Sequence, residues 1–325
     1  MRPTAVDLSS MTRYSFWCRR RSSSVELLSG ESQVKRENIV RFTHLCASLL
    51  LAFVLAAAPA GAAIVGYWRF EEGTIGTPAA GASSIVDSSG NRFNGTPING
   101  PIYSSLVGAS QISSTGTDDL HSLYFNGTSN QIFIPDNPKF QLTKSLTIEA
   151  YIHVIDVLSQ ADDILFRGDD RFGLDPYTLN VIGGKLRFGI TNASDQGSLV
   201  TAPVPYDAWV HVAAVLDDAT GRMSLYINGK LANRIVTPYR PFAVLDNGSS
   251  PGLGIGNTQS GNFNQYFHGY IDEVRLSDQA LSPGEFLNAP TIPEPVGLCL
   301  LAGGGGLVLL ARRTRKRDGS DLRAA

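Results

Sequence analysis

Between residues 64 and 280 the sequence alternates apolar and polar residues over short runs, and no run has the spacing of a helix longer than two turns. That pattern confines the chain to strands and turns. Residues 146–154 show it most cleanly. Leu146, Ile148, Ala150, Ile152 and Val154 fall on one side, which predicts a strand turning that side to a core. Residues 209–217 are nearly continuously apolar, as expected of a central strand covered on both faces. Asn228-Gly229, set between two such runs, supplies the two positive φ values of a type I′ hairpin, and Gly183-Gly184 suits a second two-residue turn. About a dozen short strands with turn signals predict an all-β fold, a two-sheet antiparallel jelly-roll sandwich. Residues 76–120, rich in Gly, Ser, Thr and Ala, are expected to be surface loops with one short strand near Ile102 and Tyr103.

The last strand of this series, residues 267–276, has an unusual middle. Alternation places Tyr270, Asp272, Val274 and Leu276 on one side and Ile271, Glu273 and Arg275 on the other. Acids are poor strand formers and costly to bury unpaired, so these carboxylates are expected to meet solvent, a base or a cation. Gly269 before them predicts a bend or a close backbone approach. Ser282-Pro283-Gly284-Glu285 after them reads as a short capped helix, with Ser282 as N-cap.

Both ends differ from the middle. Residues 45–58 are apolar, follow Lys35, Arg36 and Arg41, and precede Ala60-Gly61-Ala62, which together describe a secretory signal peptide over residues 35–62. Residues 1–34 are Ser/Arg-rich without periodicity, and are read either as a disordered leader or as sequence upstream of the true translation start. At the other end, Pro293-Glu294-Pro295 is followed by an apolar run expected to be helical, residues 296–311, and a basic end, residues 312–317. These three parts resemble the PEP-CTERM sorting tail of Gram-negative bacteria, here residues 291–325. The resemblance implies transient anchoring in the inner membrane, processing by an exosortase near Pro293, Glu294 and Pro295, and a product at the cell surface or in the extracellular matrix.

The formal net charge of −2 is unevenly spread, with basic ends around an acidic middle. An acidic domain excludes a nucleic-acid partner, which demands a basic face. Cys18, Cys46 and Cys299 all lie outside residues 63–290, so that span has no disulfide, cysteine zinc site or thiol nucleophile. The five histidines show no metal-ligand spacing, and His153 and His211 read as structural.

Four stretches resemble laminin-G-like domains of the concanavalin A-like lectin/glucanase superfamily. They are the opening "YWRFEEG…DSSGNRFNGT", "LYFNGTSNQIFI" over residues 123–134, the central "AWVHVAAVLDDATGRMSLYINGKL" and the closing "FHGYIDEVRLSDQALSPGEF". The resemblance covers roughly residues 65–288. It implies a calcium ion where the end of the first strand meets the closing strand, with Glu72, Asp87, Asn91 and Asp272 as candidate ligands. The alternative is that Asp87 and Asn91 only shape a turn while Asp272 pairs with an arginine. The superfamily's common role implies carbohydrate binding, and Tyr177, Tyr206, Tyr239 and Tyr266, in or near loops, are the candidate stacking rings. Enzymes on this fold place acids two or four residues apart on one strand. Asp272 and Glu273 are adjacent and predicted to face opposite ways, so the expectation is a non-catalytic, exported module. Its partner would be polysaccharide or a matrix component. A structural or adhesive matrix protein without a glycan site, and a glycan-active hydrolase or lyase, are the alternatives.

Overall fold

The computed structural model describes residues 63–156 and 161–290. The leader, the signal peptide and the sorting tail lie outside them. Among the described residues no helix is long and apolar enough to cross a membrane.

The strands are, in order, β1 (Ile64–Trp68), β2 (Thr96–Ile98), β3 (Ile102–Ser104), β4 (Gln111–Ile112), β5 (Thr117–Asp118), β6 (Ser122–Asn126), β7 (Gln131–Pro135), β8 (Leu146–Val154) and β9 (Asp162–Gly168). They continue with β10 (Tyr177–Ile182), β11 (Lys185–Thr191), β12 (Gly197–Pro203), β13 (Trp209–Asp217), β14 (Arg222–Ile227), β15 (Lys230–Val236), β16 (Gly252–Ile255) and β17 (His268–Ser277). One sheet runs β15-β14-β13-β8-β17-β6-β3, with β1 also paired to β17, and the other runs β12-β11-β10-β9-β16-β7-β2. The pairs are antiparallel. β4 and β5 form a separate small hairpin.

The inner faces share one core. Ile148, Ala150 and Ile152 of β8 join Leu123 and Phe125 of β6 on one side, and Leu165, Leu179, Val181, Leu186 and Phe188 on the other. The expected alternation of β8 is therefore real, and it is what closes the sandwich. Strand β13 lies between β8 and β14 and is covered on its second face by Leu281 and Phe286. Asn228 and Gly229 have φ of 50° and 73°, as the type I′ turn requires. A side chain at Gly269 would put Cβ 2.0 Å from the His153 carbonyl oxygen, which is the close approach expected there. The closing helix is a single 3-10 turn, Pro283–Glu285, in which the Glu285 carboxylate accepts from the Ser282 N–H at 2.8 Å.

One expectation fails in an informative way. β17 carries a bulge between Asp272 and Arg275, opposite Tyr151 and Glu149 of β8. Glu273 sits in the bulge with φ of 52°. The extra residue resets the alternation, because two residues on β17 now stand against one on β8. Ile271, Val274 and Leu276 all join the core, while Asp272, Glu273 and Arg275 turn to the outer face. The bulge is also where the outer partner of β17 changes from β6 to β1.

That outer face is itself roofed by the chain. Glu149 Oε1 accepts from His211 Nε2 at 3.1 Å and from the Leu287 N–H at 2.9 Å. Its Oε2 accepts from Arg275 Nε at 2.8 Å. Burial pushes the Glu149 carboxyl up, but the His211 hydrogen bond and the Arg275 charge outweigh it and hold the group below the usual range. This cluster pins residues 281–289 onto the sheet. Glu149→Gln is expected to cost ~3 kcal/mol near neutral pH, because Arg275 loses its buried counter-charge. A lowered carboxyl stabilises above its unfolded value, so the cost should shrink as pH falls through that range. Urea unfolding of both proteins at neutral and acid pH checks this, and an equal cost at both would refute it.

Candidate functional site

Two places on the outer faces have the chemistry of a site. The first lies beneath the β4–β5 hairpin. Glu71 follows β1, Asp119 follows β5, and Asp272 and Glu273 come from the bulge. Oxygens of Glu71, Asp119 and Glu273 lie within 4.8 Å of one another. Glu273 is served by Arg69 Nε at 2.9 Å and by the Tyr67 hydroxyl. Glu71 accepts from the N–H of Leu120 at 2.9 Å. Asp119 and Asp272 are both buried, and no base, hydroxyl or backbone N–H of the described residues donates to any of their four carboxyl oxygens, which face only other carboxyls. Burial first, then the Glu273 charge, pushes Asp119 up to about 7. Asp272 is pushed well above the usual carboxylate range by burial and by the charges of Asp119 and Glu273. Phe70 and Glu273, which flank the cluster, both hold left-handed backbone, φ 62° and 52°. For non-glycine residues that conformation costs about 1–2 kcal/mol each.

The set expected from sequence, Glu72, Asp87, Asn91 and Asp272, is not what meets here. Asp87 spends its carboxylate on the N–H groups of Tyr67, Ser89 and Phe93, each at 2.9 Å. Asn91 donates to the Ile64 and Val65 carbonyls. Glu72 accepts from the Val86 N–H at 2.9 Å. These three fasten the 85–93 turn to β1. Asp272 alone of the set enters the acidic cluster, and its companions are the neighbouring Glu71, the loop acid Asp119, and Glu273, which strict alternation had turned away. Arg69 pairs with Glu273 and Arg275 with Glu149, so Asp272 has no arginine partner.

The second place is a groove on the outer face of the seven-stranded sheet. Three adjoining recesses of about 140, 310 and 350 Å³ share Asp175, Phe166, Thr178, Arg187 and Gln265 among their walls. The floor follows from register. Leu199, Gly189, Thr178 and Phe166 stand side by side across β12, β11, β10 and β9, and Thr201, Arg187, Asn180 and Asp163 form the next row. Gly189 keeps the middle of the floor low. Asn180 Nδ2 donates to Asp163 Oδ1 at 3.1 Å, and Gln265, with its amide turned to satisfy both groups, donates to Asp163 Oδ2 at 2.9 Å. Arg187 makes no hydrogen bond or ion pair with the described residues. Phe172, on the loop after β9, is 91% exposed at one end of the groove, beside Phe263. Burial first, then Asp169 and Asp195, pushes Asp175 up to about 7.

None of the four expected tyrosines lines this groove. Tyr177 lies in the core, its hydroxyl donating to the Phe140 carbonyl at 3.0 Å, because it occupies an inward position of β10. Tyr239 packs against the core edge. The Tyr266 hydroxyl donates to the Gly261 carbonyl at 3.3 Å, and Tyr206 is exposed beside Gly184. The groove residues were visible in principle. β10 alternates Tyr177, Leu179, Val181 against Thr178, Asn180, Ile182, which marks the polar set as the outer face.

Residues 126–286 match a laminin G family model of the concanavalin A-like lectin/glucanases superfamily. No curated protein matches the sequence. Among solved structures, the binding domain of Paraclostridial Mosquitocidal Protein 1 aligns with TM-score 0.47 at 16% identity, covering 66% of this chain and 50% of that one. Domain 4 of AbnA, an extracellular arabinanase from Geobacillus stearothermophilus, in complex with arabinotriose, aligns at 0.47 and 17%, covering 70% and 97%. The binding domain of botulinum neurotoxin serotype G aligns at 0.49 and 11%, covering 69% and 50%. This chain thus spans about half the length of the toxin domains it resembles.

A carboxyl whose folded value is raised destabilises as pH climbs from its unfolded value to its folded one. Asp175→Asn should therefore flatten the fall in melting temperature between pH ~4 and ~7. Melting curves across that range test it, and an unchanged slope would count against the assignment.

Proposed function

We propose that this chain is an exported, surface-associated polysaccharide-binding module that takes its ligand in the groove of the seven-stranded sheet and holds a calcium ion in the acidic cluster. The groove carries the first part. It is long and open, and Gly189 keeps the middle of its floor low. It offers the free Arg187 guanidinium, Asn180, Thr178 and Asp175 for sugar hydroxyls, and an exposed Phe172 ring at one end. A chain of sugars needs that mixture, with ring faces for its C–H surfaces and planar polar groups for its hydroxyls. The reading is non-catalytic. Asp163 is fully buried and capped by Asn180, so it serves as floor. In this reading signal peptidase removes residues 35–62, and an exosortase processes the tail at Pro293, Glu294 and Pro295. A matrix component is the other partner class.

The orphaned oxygens of Asp119 and Asp272 support the ion. Calcium takes six to eight oxygens; Glu71, Asp119 and Glu273 bring carboxylate oxygens within 4.8 Å of one another, and Asp272 adjoins Asp119. The ion would neutralise like charges that protein donors leave unanswered.

A glycan array with the purified protein, run with calcium and with chelator, tests the ligand class. Arg187→Ala should weaken glycan binding at least tenfold, about 1.4 kcal/mol, without lowering the melting temperature. Reducing-sugar release from bound polysaccharide should stay at background. Absence of binding to every glycan would sink the reading. Separately, saturating calcium should raise the melting temperature by ~5–10 °C over chelated protein. Asp272→Asn should abolish most of that rise, and a calcium response equal to wild type would refute the site.

A further inference from the structure

The recess at the Phe172 end of the groove differs from the other two. It measures about 140 Å³, and three rings stand around it: Phe166 of β9, Phe172 of the loop after β9 and Phe263 of the segment before β17. The polar side chains on its border are of two kinds. Arg171 is committed to Asp169, donating through Nε at 3.0 Å and through Nη2 at 2.6 Å. Gln265 is committed to Asp163. Asp175 and Thr258 are not committed. Asp175 makes no hydrogen bond or ion pair with the described residues, and it borders all three recesses. Thr258 is fully buried, and its hydroxyl has no partner.

A hollow of this size and character takes a small apolar group and not a sugar ring. An apolar cavity of about 150 Å³ holds a molecule the size of benzene. A pyranose unit with its hydroxyls is larger and polar all round, and the recesses of about 310 and 350 Å³ have the room for it. The small recess therefore suits a substituent carried by a sugar seated beside Asp175. Such a substituent must be apolar at its tip, to lie against the three rings. It must be polar at its base, where the uncommitted carboxyl stands. An acetamido group meets both demands with its methyl and its amide. The amide N–H answers Asp175 when the carboxyl is ionised, and the amide oxygen answers it when the carboxyl carries a proton. A hydroxyl in the same place would reach the carboxyl and leave the rings against water. A charged amine would lose hydration beside the rings and bring nothing to cover them. We infer that the groove selects chains of N-acetylated amino sugars, with an acetamido methyl among Phe166, Phe172 and Phe263 and its amide against Asp175.

This selectivity rests on the groove as a polysaccharide site and names what the site takes. Three β-1,4-linked hexamers that differ only in one ring substituent test it: chitohexaose with acetamido groups, cellohexaose with hydroxyls, and the fully deacetylated amino chain. Isothermal titration of the purified protein should show chitohexaose binding roughly tenfold tighter than either of the others. Phe263→Ala and Asp175→Ala should each cut that preference several-fold, by weakening the acetamido chain most. Phe172→Ala should do the same with an unchanged melting temperature, because its ring is exposed, so a folding defect cannot mimic the effect. Equal binding of the three chains, or a preference for the hydroxyl or amino chain, would overturn the acetamido pocket and leave the groove as a glycan site. So would a preference that survives in Phe172→Ala and in a folded Asp175→Ala. Binding of none of the three would also overturn the pocket, and the groove falls with it only if no glycan on the array binds.

Discussion

The extra residue in β17 governs more of this molecule than any other single feature. β17 is the central strand of its sheet, paired with β8 along its length, with β6 before the bulge and with β1 after it. A regular strand of the same sequence would send Glu273 and Arg275 into the core behind Ile271. It would also turn Val274 and Leu276 out to the other face. Burying those charges among Leu123, Ile148 and Phe125 would cost far more than one residue at positive φ. The bulge removes the conflict. It keeps Ile271, Val274 and Leu276 inward, and it delivers three charged side chains to one outer surface.

What happens on that surface then follows from pairing. Arg275 finds Glu149, which His211 and the Leu287 N–H complete, and the C-terminal segment is fastened to the sheet. Glu273 finds Tyr67 and Arg69 from β1. Asp272 finds only other acids. The contrast between a saturated Glu149 and an unsatisfied Asp272, on adjacent strands of one sheet, separates architecture from function. Where the fold needed a buried charge for its own closure, it gave that charge a base and a backbone N–H. In the acidic cluster, Asp119 and Asp272 received no such partners.

The two outer faces are used differently. The eight-stranded sheet is covered in part by the β4–β5 hairpin and by residues 281–289. The seven-stranded sheet stays uncovered over its middle, and Gly189, Thr178 and Asn180 keep it low and polar. A core shared by both sheets makes each face rigid. Side chains on them are therefore placed by register rather than by loop conformation.

Period-two alternation in residues 146–154, the Asn228-Gly229 turn and the apolar run of β13 carried the all-β sandwich, because each states its own local geometry without reference to distant residues. The same local rules misplaced the sites. Tyr177 looked like a loop ring, yet it is the first inward residue of β10. Glu72 was chosen over Glu71, although Tyr67 and Arg69, which meet Glu273, share alternation with Glu71. A bulge leaves no mark in composition, and one residue of slip exchanges every outward for every inward side chain. The sequence by itself determined strands, turns and the acidic character of the domain. Only the tertiary structure decided which carboxylates meet and which polar side chains floor the groove, because both depend on strand register, which no local stretch of sequence states.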